Sequence, residues 1–296
     1  ERVPAADVFA HGSIELATEA LHTVKPLEVA IPRGRLTAVT GVSGSGKTTL
    51  VLESLIPALV ANASSAKLPS HVKRIEAAGI ERANLIDASP IGINVRSTVA
   101  TYSGVLDELR RAFARTEEAQ AAGLKPGAFS YNTGSLRCPT CDGTGQITLD
   151  VQFLPDLDIE CTDCRGSRYG AQASQIRRDG LSLPDILAMS VDEARAAVRG
   201  LKKAGALLET LAGLGLGYLT LGEATPALSG GEAQRLKLAS EMGRRQEGTL
   251  FVFDEPTIGL HPDDVQVLLN VLQHLIEHGA TVLVIEHDLD LIRCAD

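Results

Sequence analysis

Gly41-Val42-Ser43-Gly44-Ser45-Gly46-Lys47-Thr48 decides the fold. The stretch satisfies the phosphate-loop pattern: a glycine, four residues, then Gly-Lys and a hydroxyl side chain. Its glycines let successive backbone N–H groups turn toward the α- and β-phosphates of a nucleotide. The Lys47 ammonium reaches the β- and γ-phosphates, and the Thr48 hydroxyl suits Mg²⁺. The flanks agree. Residues 36–39 are an apolar run of strand length and residues 49–59 carry a helical pattern, so the loop feeds a helix N-terminus that favours an anion. ATP is therefore expected at Gly41, Ser43, Gly44, Ser45, Gly46, Lys47, Thr48 and Thr49, with Mg²⁺ beside Thr48.

Three later segments extend the reading. Leu228-Ser229-Gly230-Gly231-Glu232 resembles the signature sequence of ABC-type ATPases. That resemblance implies that Ser229, Gly230 and Gly231 cap the γ-phosphate of an ATP held by a different nucleotide-binding unit. Phe251-Val252-Phe253-Asp254-Glu255-Pro256 resembles a Walker B strand, delivering Asp254 to Mg²⁺ and Glu255 to the attacking water. Residues 281–285 form another β-rich run, ending in Glu286-His287, where His287 resembles the switch histidine. An isolated Asp-Glu is ordinarily a strand end and a lone histidine ordinarily structural; four motifs in the ABC order outweigh both. Lys47, Glu255 and His287 are the expected catalytic residues.

Between the phosphate loop and the signature lie Cys138-Pro139-Thr140-Cys141 and Cys161-Thr162-Asp163-Cys164, two CxxC pairs separated by nineteen residues. This spacing falls in the zinc-ribbon range, and four thiolates suit a closed tetrahedral Zn²⁺ site at Cys138, Cys141, Cys161 and Cys164. Gly143, Gly145 and Gly166 follow the pairs and permit tight knuckle turns. A redox role is the alternative for a single CxxC; two matched pairs favour zinc. The expected architecture is α/β, an ABC-type P-loop ATPase core with an inserted helical domain carrying the zinc knuckle. Residues 1–80 and 246–296 would form the core, and residues 81–245 the insertion.

Composition narrows the partners. Net charge is −9, from 28 basic and 37 acidic side chains, so diffuse attraction to nucleic acid is absent and any DNA face must be local. Residues 131–180 hold five arginines against seven acids, so charge alone does not locate that face. Aromatics make up 3% with no tryptophan, which argues against a stacking platform for single strands. No apolar stretch approaches the ~20 residues of a membrane span. Lacking a secretion signal and carrying an ATP site, the chain reads as a protein of a reducing cytoplasm. It begins without methionine and stops nine residues after His287, as part of a longer polypeptide would.

The periodicity predicts helices over 105–122, from Leu183, over 191–203 and over 230–245. Leu106, Leu109 and Phe113 share a face of the first, with an Asp107–Arg111 pair on its surface. The 67–70 stretch reads as a loop and Pro126-Gly127 as a break.

These segments together resemble the UvrA family, which supplies the DNA-damage sensor of bacterial nucleotide excision repair. The resemblance rests on the knuckles, on Phe153-Leu154-Pro155-Asp156, Arg168-Tyr169 and the LSGGEAQRLKL run of residues 228–238, and on Ser89-Pro90-Ile91-Gly92 and Ala100-Thr101-Tyr102-Ser103-Gly104-Val105. Lys125-Pro126-Gly127 and Val284-Ile285-Glu286-His287 add to it. It covers residues 32–296 and corresponds to the C-terminal ABC half of a protein that carries two. It implies a dimer on distorted double-stranded DNA, a second ABC half in the same or another chain, and UvrB as a partner held by the other half. Arg96, Lys125, Arg165 and Arg168, in or beside family-like segments, are its implied DNA contacts. There are departures. Ala88 stands where the family has a glutamine that senses Mg²⁺ and the attacking water, and residues 21–24 and 96–99 drift from the pattern. They resemble UvrA-like paralogues tied to resistance against DNA-intercalating drugs. A transporter nucleotide-binding domain lacks the zinc insertion, and an SMC-type ATPase would place a coiled coil there.

Overall fold

Thr249–Asp254 and Thr281–Ile285 are apolar on both faces, the pattern of strands covered on either side in a parallel sheet. The structure, a computed structural model, describes residues 4–92, 94–149, 157–258, 260 and 262–296. The Phe153-Leu154-Pro155-Asp156 segment lies outside the described residues. The two apolar strands pair side by side in a four-stranded parallel sheet of order Leu36–Val39, Thr281–Ile285, Thr249–Asp254, Arg82–Ile86. Register sets Ile285 against both Val39 and Asp254, and Phe253 against Ile86. All four strands thus end on one edge, which carries Gly41, Asp87, Glu255 and Glu286. In open α/β sheets that carboxyl edge is where ligands bind.

A second sheet is antiparallel, with Ser13–Thr18 between Leu27–Pro32 and Val72–Glu76. Its Ile14 and Leu16 pack with Val51, Leu55 and Ala58 of the helix after the phosphate loop and with Leu250, Val252, Leu283 and Ile285 of the parallel sheet. That helix is wound as a π-helix over Thr49–Leu55 and as an α-helix over Ile56–Ala63. Pro57 has no N–H for the Glu53 carbonyl, which an α-helix would require. The wider winding reassigns the bonds: Ile56 N–H goes to the Val51 carbonyl, and the Ser54 hydroxyl donates to Thr49 O at 2.8 Å.

These elements belong to a unit made of Glu1–Ser89 and Arg244–Asp296; Pro90–Gly243 form the other. The second unit is built from short helices with strong N-terminal caps. Ser182, Ser190 and Ser229 each accept from the N–H three residues on, while Asp185, Glu193 and Glu232 reach back to the cap N–H.

Local caps also explain where the structure departs from the periodicity. The expected helix over 105–122 is two, Val105–Phe113 and Glu117–Ala121, because Thr116 caps the second and its hydroxyl donates to Phe113 O. Leu106, Leu109 and Phe113 are buried as expected, but Asp107 pairs with Arg110 and Arg111 with Glu108, not with each other. The helix over 191–203 ends at Ala197, and Gly200, at φ +83°, turns the chain into Lys202–Gly213. The last helix of this unit, Gly230–Met242, buries Leu236 and Ala239.

Candidate functional site

The phosphate loop needs glycine for two reasons. Gly44 and Gly46 sit at φ +77° and +95°, where side chains are strained. A Cβ on Gly46 would also lie 2.4 Å from Val24 Cγ2 and 3.1 Å from Thr23 Oγ1. The Leu21–Val24 turn therefore backs directly onto the loop, and Thr23 Oγ1 donates to Gly44 O at 3.2 Å. Lys47 Nζ donates to the carbonyls of Gly41, at 2.7 Å, and Val42, at 3.2 Å, which keeps the ammonium at the mouth of the loop. Thr49 Oγ1 donates to Glu53, whose other oxygen is 3.2 Å from His22 Nε2.

Across the same sheet edge stand the carboxylates. Burial, then the Glu255 and Asp87 charges, push the Asp254 carboxyl above its ordinary value, while Lys47 pulls it down. Three acids and one ammonium at the mouth of a phosphate loop fit a divalent cation on Thr48 and Asp254 with nucleotide phosphates on Lys47. Asp87 was missed by the motif reading; it is the residue directly after the fourth parallel strand, and Ser89 Oγ donates to it at 2.6 Å. Ala88, beside it, is exposed. Glu255 holds φ +47°, its N–H donates to Ile285 O, and its Oε1 lies 3.5 Å from His287 Nε2. The structure thus brings Lys47, Asp254, Glu255 and His287 to one edge of one sheet.

The signature lies in the second unit, where Ser229 caps Gly230–Met242 and Glu232 Oε2 accepts from Ser229 N–H at 2.6 Å. Ser229 and Gly230 are exposed, at a helix end suited to phosphate. The Tyr218 hydroxyl, also missed from sequence, donates to Glu232 Oε1 and so braces the cap.

The four cysteines meet. Their Sγ atoms all lie within 4.8 Å of one another and are buried, with Cys138–Cys161 at 3.9 Å and Cys141–Cys164 at 3.6 Å. A Zn–S distance of about 2.3 Å gives a tetrahedral edge of about 3.8 Å, so the set fits zinc. Each pair is followed by two left-handed residues, Asp142-Gly143 and Arg165-Gly166. Gly145 N–H points at Cys141 Sγ, 3.2 Å away. Burial raises both Cys141 and Cys164, and leaves Cys164 up at about 12; at Cys141 that N–H and the neighbouring thiols outweigh burial and bring it to about 7. Four buried sulfurs this close ionise together only with a cation between them.

The expected DNA contacts divide. Lys125 and Arg165 are exposed. Arg96 binds Asp142 through both guanidinium nitrogens, one to the carbonyl at 2.6 Å and one to the carboxylate at 3.0 Å, and Arg137 holds the other carboxylate oxygen. Arg168 is corrected: it is 7% exposed, donates to Val95 O at 2.9 Å and lies 5.3 Å over the Tyr131 ring. A guanidinium desolvated onto protein partners braces the knuckle and leaves little for a phosphate.

A phosphate loop, Walker B carboxylates and a histidine on the carboxyl edge of a parallel sheet, with a helical insertion carrying a four-cysteine cluster, make this an ABC-type ATPase fold. No family model matches the chain. It is 48% identical over 278 residues to UvrABC system protein A of Synechocystis sp. and 45% over 280 residues to that of Thermus thermophilus. Each match takes in 93% of this chain but 29% of the relative, so the chain spans under a third of those proteins. The crystal structure of UvrA2 from Deinococcus radiodurans aligns with a TM-score of 0.86 at 41% identity, over 99% of this chain and 35% of that one. Over this span the chain belongs to the UvrA family.

Proposed function

We propose that this chain is the ATP-hydrolysing segment of a DNA-damage recognition subunit of nucleotide excision repair, working as a dimer on distorted duplex DNA in the cytoplasm. The observation that carries the reading is the convergence of Lys47, Asp254, Glu255 and His287 on one sheet edge in a chain 48% identical to UvrABC system protein A. Bound MgATP would supply a phosphoryl group open to attack by water. Lys47 and the loop N–H groups would hold the phosphates, Thr48 and Asp254 the metal, and Glu255 would take the proton of the attacking water. His287, within reach of Glu255, would orient that water and the γ-phosphate. Ser229 to Gly231 would complete the site of another nucleotide-binding unit, a second ABC half in the same or another chain. Zinc on the four cysteines would be structural, since the set is closed. UvrB is the further partner this family membership proposes.

Lesions differ chemically and share distortion, so the duplex would be read through its shape and deformability. Lys125 and Arg165 are the exposed cations we assign to phosphates; Arg96 and Arg168 hold the knuckle against residues 95–98. The test uses the full chain. Lys47→Ala should abolish nucleotide binding at this site, and Glu255→Gln should keep binding and block turnover. If the strictly monomeric segment hydrolyses ATP at the rate of the full assembly, completion of the site by another unit is wrong. Ala88, in place of the sensing glutamine, favours one second reading, a paralogue that answers intercalating drugs. Tighter binding to intercalator-loaded duplex than to a bulky lesion would support it.

A further inference from the structure

Glu286 is the least exposed acid of the described residues, at 2%, and it is fully engaged. One carboxylate oxygen accepts from the Thr257 N–H at 2.9 Å and the Thr257 hydroxyl at 2.6 Å. The other accepts from the N–H groups of His287, at 2.7 Å, and Asp288, at 3.0 Å. A buried carboxylate persists only where such donors replace water. What matters is which backbone they belong to. Thr257 follows Glu255 by two residues; His287 is next to Glu286 and returns to within 3.5 Å of Glu255. The contacts close a ring: Glu255, Pro256, Thr257, Glu286, His287 and back to Glu255. Both side chains expected to handle the attacking water are members of it.

The ring also explains a strained backbone. Glu255 holds φ +47°, which a non-glycine residue adopts only when its surroundings impose it. Ile285 O receives the Glu255 N–H on one side, and Glu286 pins Thr257 on the other.

Resting on the ATPase reading above, we infer that Glu286 is a positioning residue that sets the distance between Glu255 and His287 by tying the loop after the Walker B strand to the switch histidine. Its carboxylate is spent on four protein donors, so its effect on the reaction passes through Glu255 and His287. Glutamine at this position keeps the shape but turns an NH₂ toward one of the two donor pairs, so one side of the ring must open. Misplacement of a catalytic pair by about 1 Å costs on the order of a hundredfold in rate while binding contacts elsewhere persist.

The experiment measures ATP turnover and nucleotide affinity of the full chain for the parent, Glu286→Gln, His287→Ala and the double variant. Lys47→Ala supplies the turnover not due to this site. Above that baseline, Glu286→Gln should lower kcat by on the order of tenfold to a hundredfold, with nucleotide affinity held within about twofold. In the His287→Ala background it should lower kcat by clearly less than in the parent, since part of its effect acts through His287. Glu286→Gln turnover within about twofold of the parent overturns the inference, and so does a full additional loss in the His287→Ala background. If Glu286→Gln fails to fold, Thr257→Val, which deletes one donor, decides: it should lower kcat at unchanged affinity, and unchanged kcat overturns the proposal. A parent no faster than the Lys47→Ala baseline would instead defeat the ATPase reading.

Discussion

Removing the metal from the four-cysteine cluster should unfold the knuckle as a unit and leave the parallel sheet standing. The sulfur separations of 3.6 and 3.9 Å bracket the tetrahedral edge of about 3.8 Å, so the site is already shaped for zinc. Structural zinc contributes an apparent binding free energy on the order of 10 kcal/mol, against a total stability of about 5–15 kcal/mol for a typical domain. Loss of that magnitude exceeds anything the knuckle retains, since its own strands, Gln146–Leu149 and Leu157–Glu160, leave most of their side chains in solvent. The damage should spread along its bonds, from Asp142 to Arg96 and Arg137 and from Arg168 to Val95. Hydrogen exchange with and without chelator, and on Cys161→Ser, should show deprotection at 94–98, 136–145 and 160–170. Protection of Thr249–Asp254 and Thr281–Ile285 should stay. Metal content in freshly reduced protein should be one zinc per chain. Clearly less zinc, or unchanged protection of the knuckle after chelation, would refute the reasoning.

Gly46→Ala should abolish nucleotide binding, because its Cβ meets Val24 Cγ2 at 2.4 Å and φ is +95°; titration calorimetry with ATP checks it. Leu283→Ala, at a fully buried position of the parallel sheet in the core it shares with the antiparallel sheet, should destabilise by about 2–5 kcal/mol in denaturant unfolding. Asp185 and Glu193 are held below the ordinary carboxylate range by their cap residues, and Glu232 by Tyr218 and Ser229 against burial. Their folded values are depressed, so the stability they add is present above about pH 4–5 and lost as pH falls through the folded values. Acid should therefore loosen these three helix starts, and Ser190→Ala should blunt that pH dependence in a melting series. Arg165→Ala and Lys125→Ala should each reduce the slope of log K against log salt for duplex DNA by about one; Arg168→Ala should lower the melting temperature instead.

Three strands of the parallel sheet and their nucleotide edge were legible, because Thr249–Asp254 and Thr281–Ile285 are apolar on both faces and Leu36–Val39 leads into the phosphate loop. The fourth, Arg82–Ile86, was not, since Arg82 and Asn84 interrupt its apolar run. Spacing alone was enough to bring the cysteines together. Helix ends were less legible, since Thr116 and Gly200 cut periodic runs by capping and by backbone conformation, which hydrophobic period does not report. The cap pairs Ser182–Asp185, Ser190–Glu193 and Ser229–Glu232 were available as Ser-x-x-acid signals. The burial of Arg168 was not. It depends on Tyr131 and Val95, 37 and 73 positions away, and an arginine beside a knuckle reads equally as brace or DNA contact. The roles of Asp87 and Glu286 were hidden for a similar reason: each acquires its setting from a residue far away in sequence, Asp254 for the one and Thr257 for the other.

The most direct test of the central claim is the affinity of the full chain for distorted and undamaged duplex, measured with and without ATP, for the parent and for Lys47→Ala. The account predicts that ATP changes the ratio of the two affinities in the parent and that Lys47→Ala weakens this dependence. A ratio that responds to ATP equally in both proteins would contradict it.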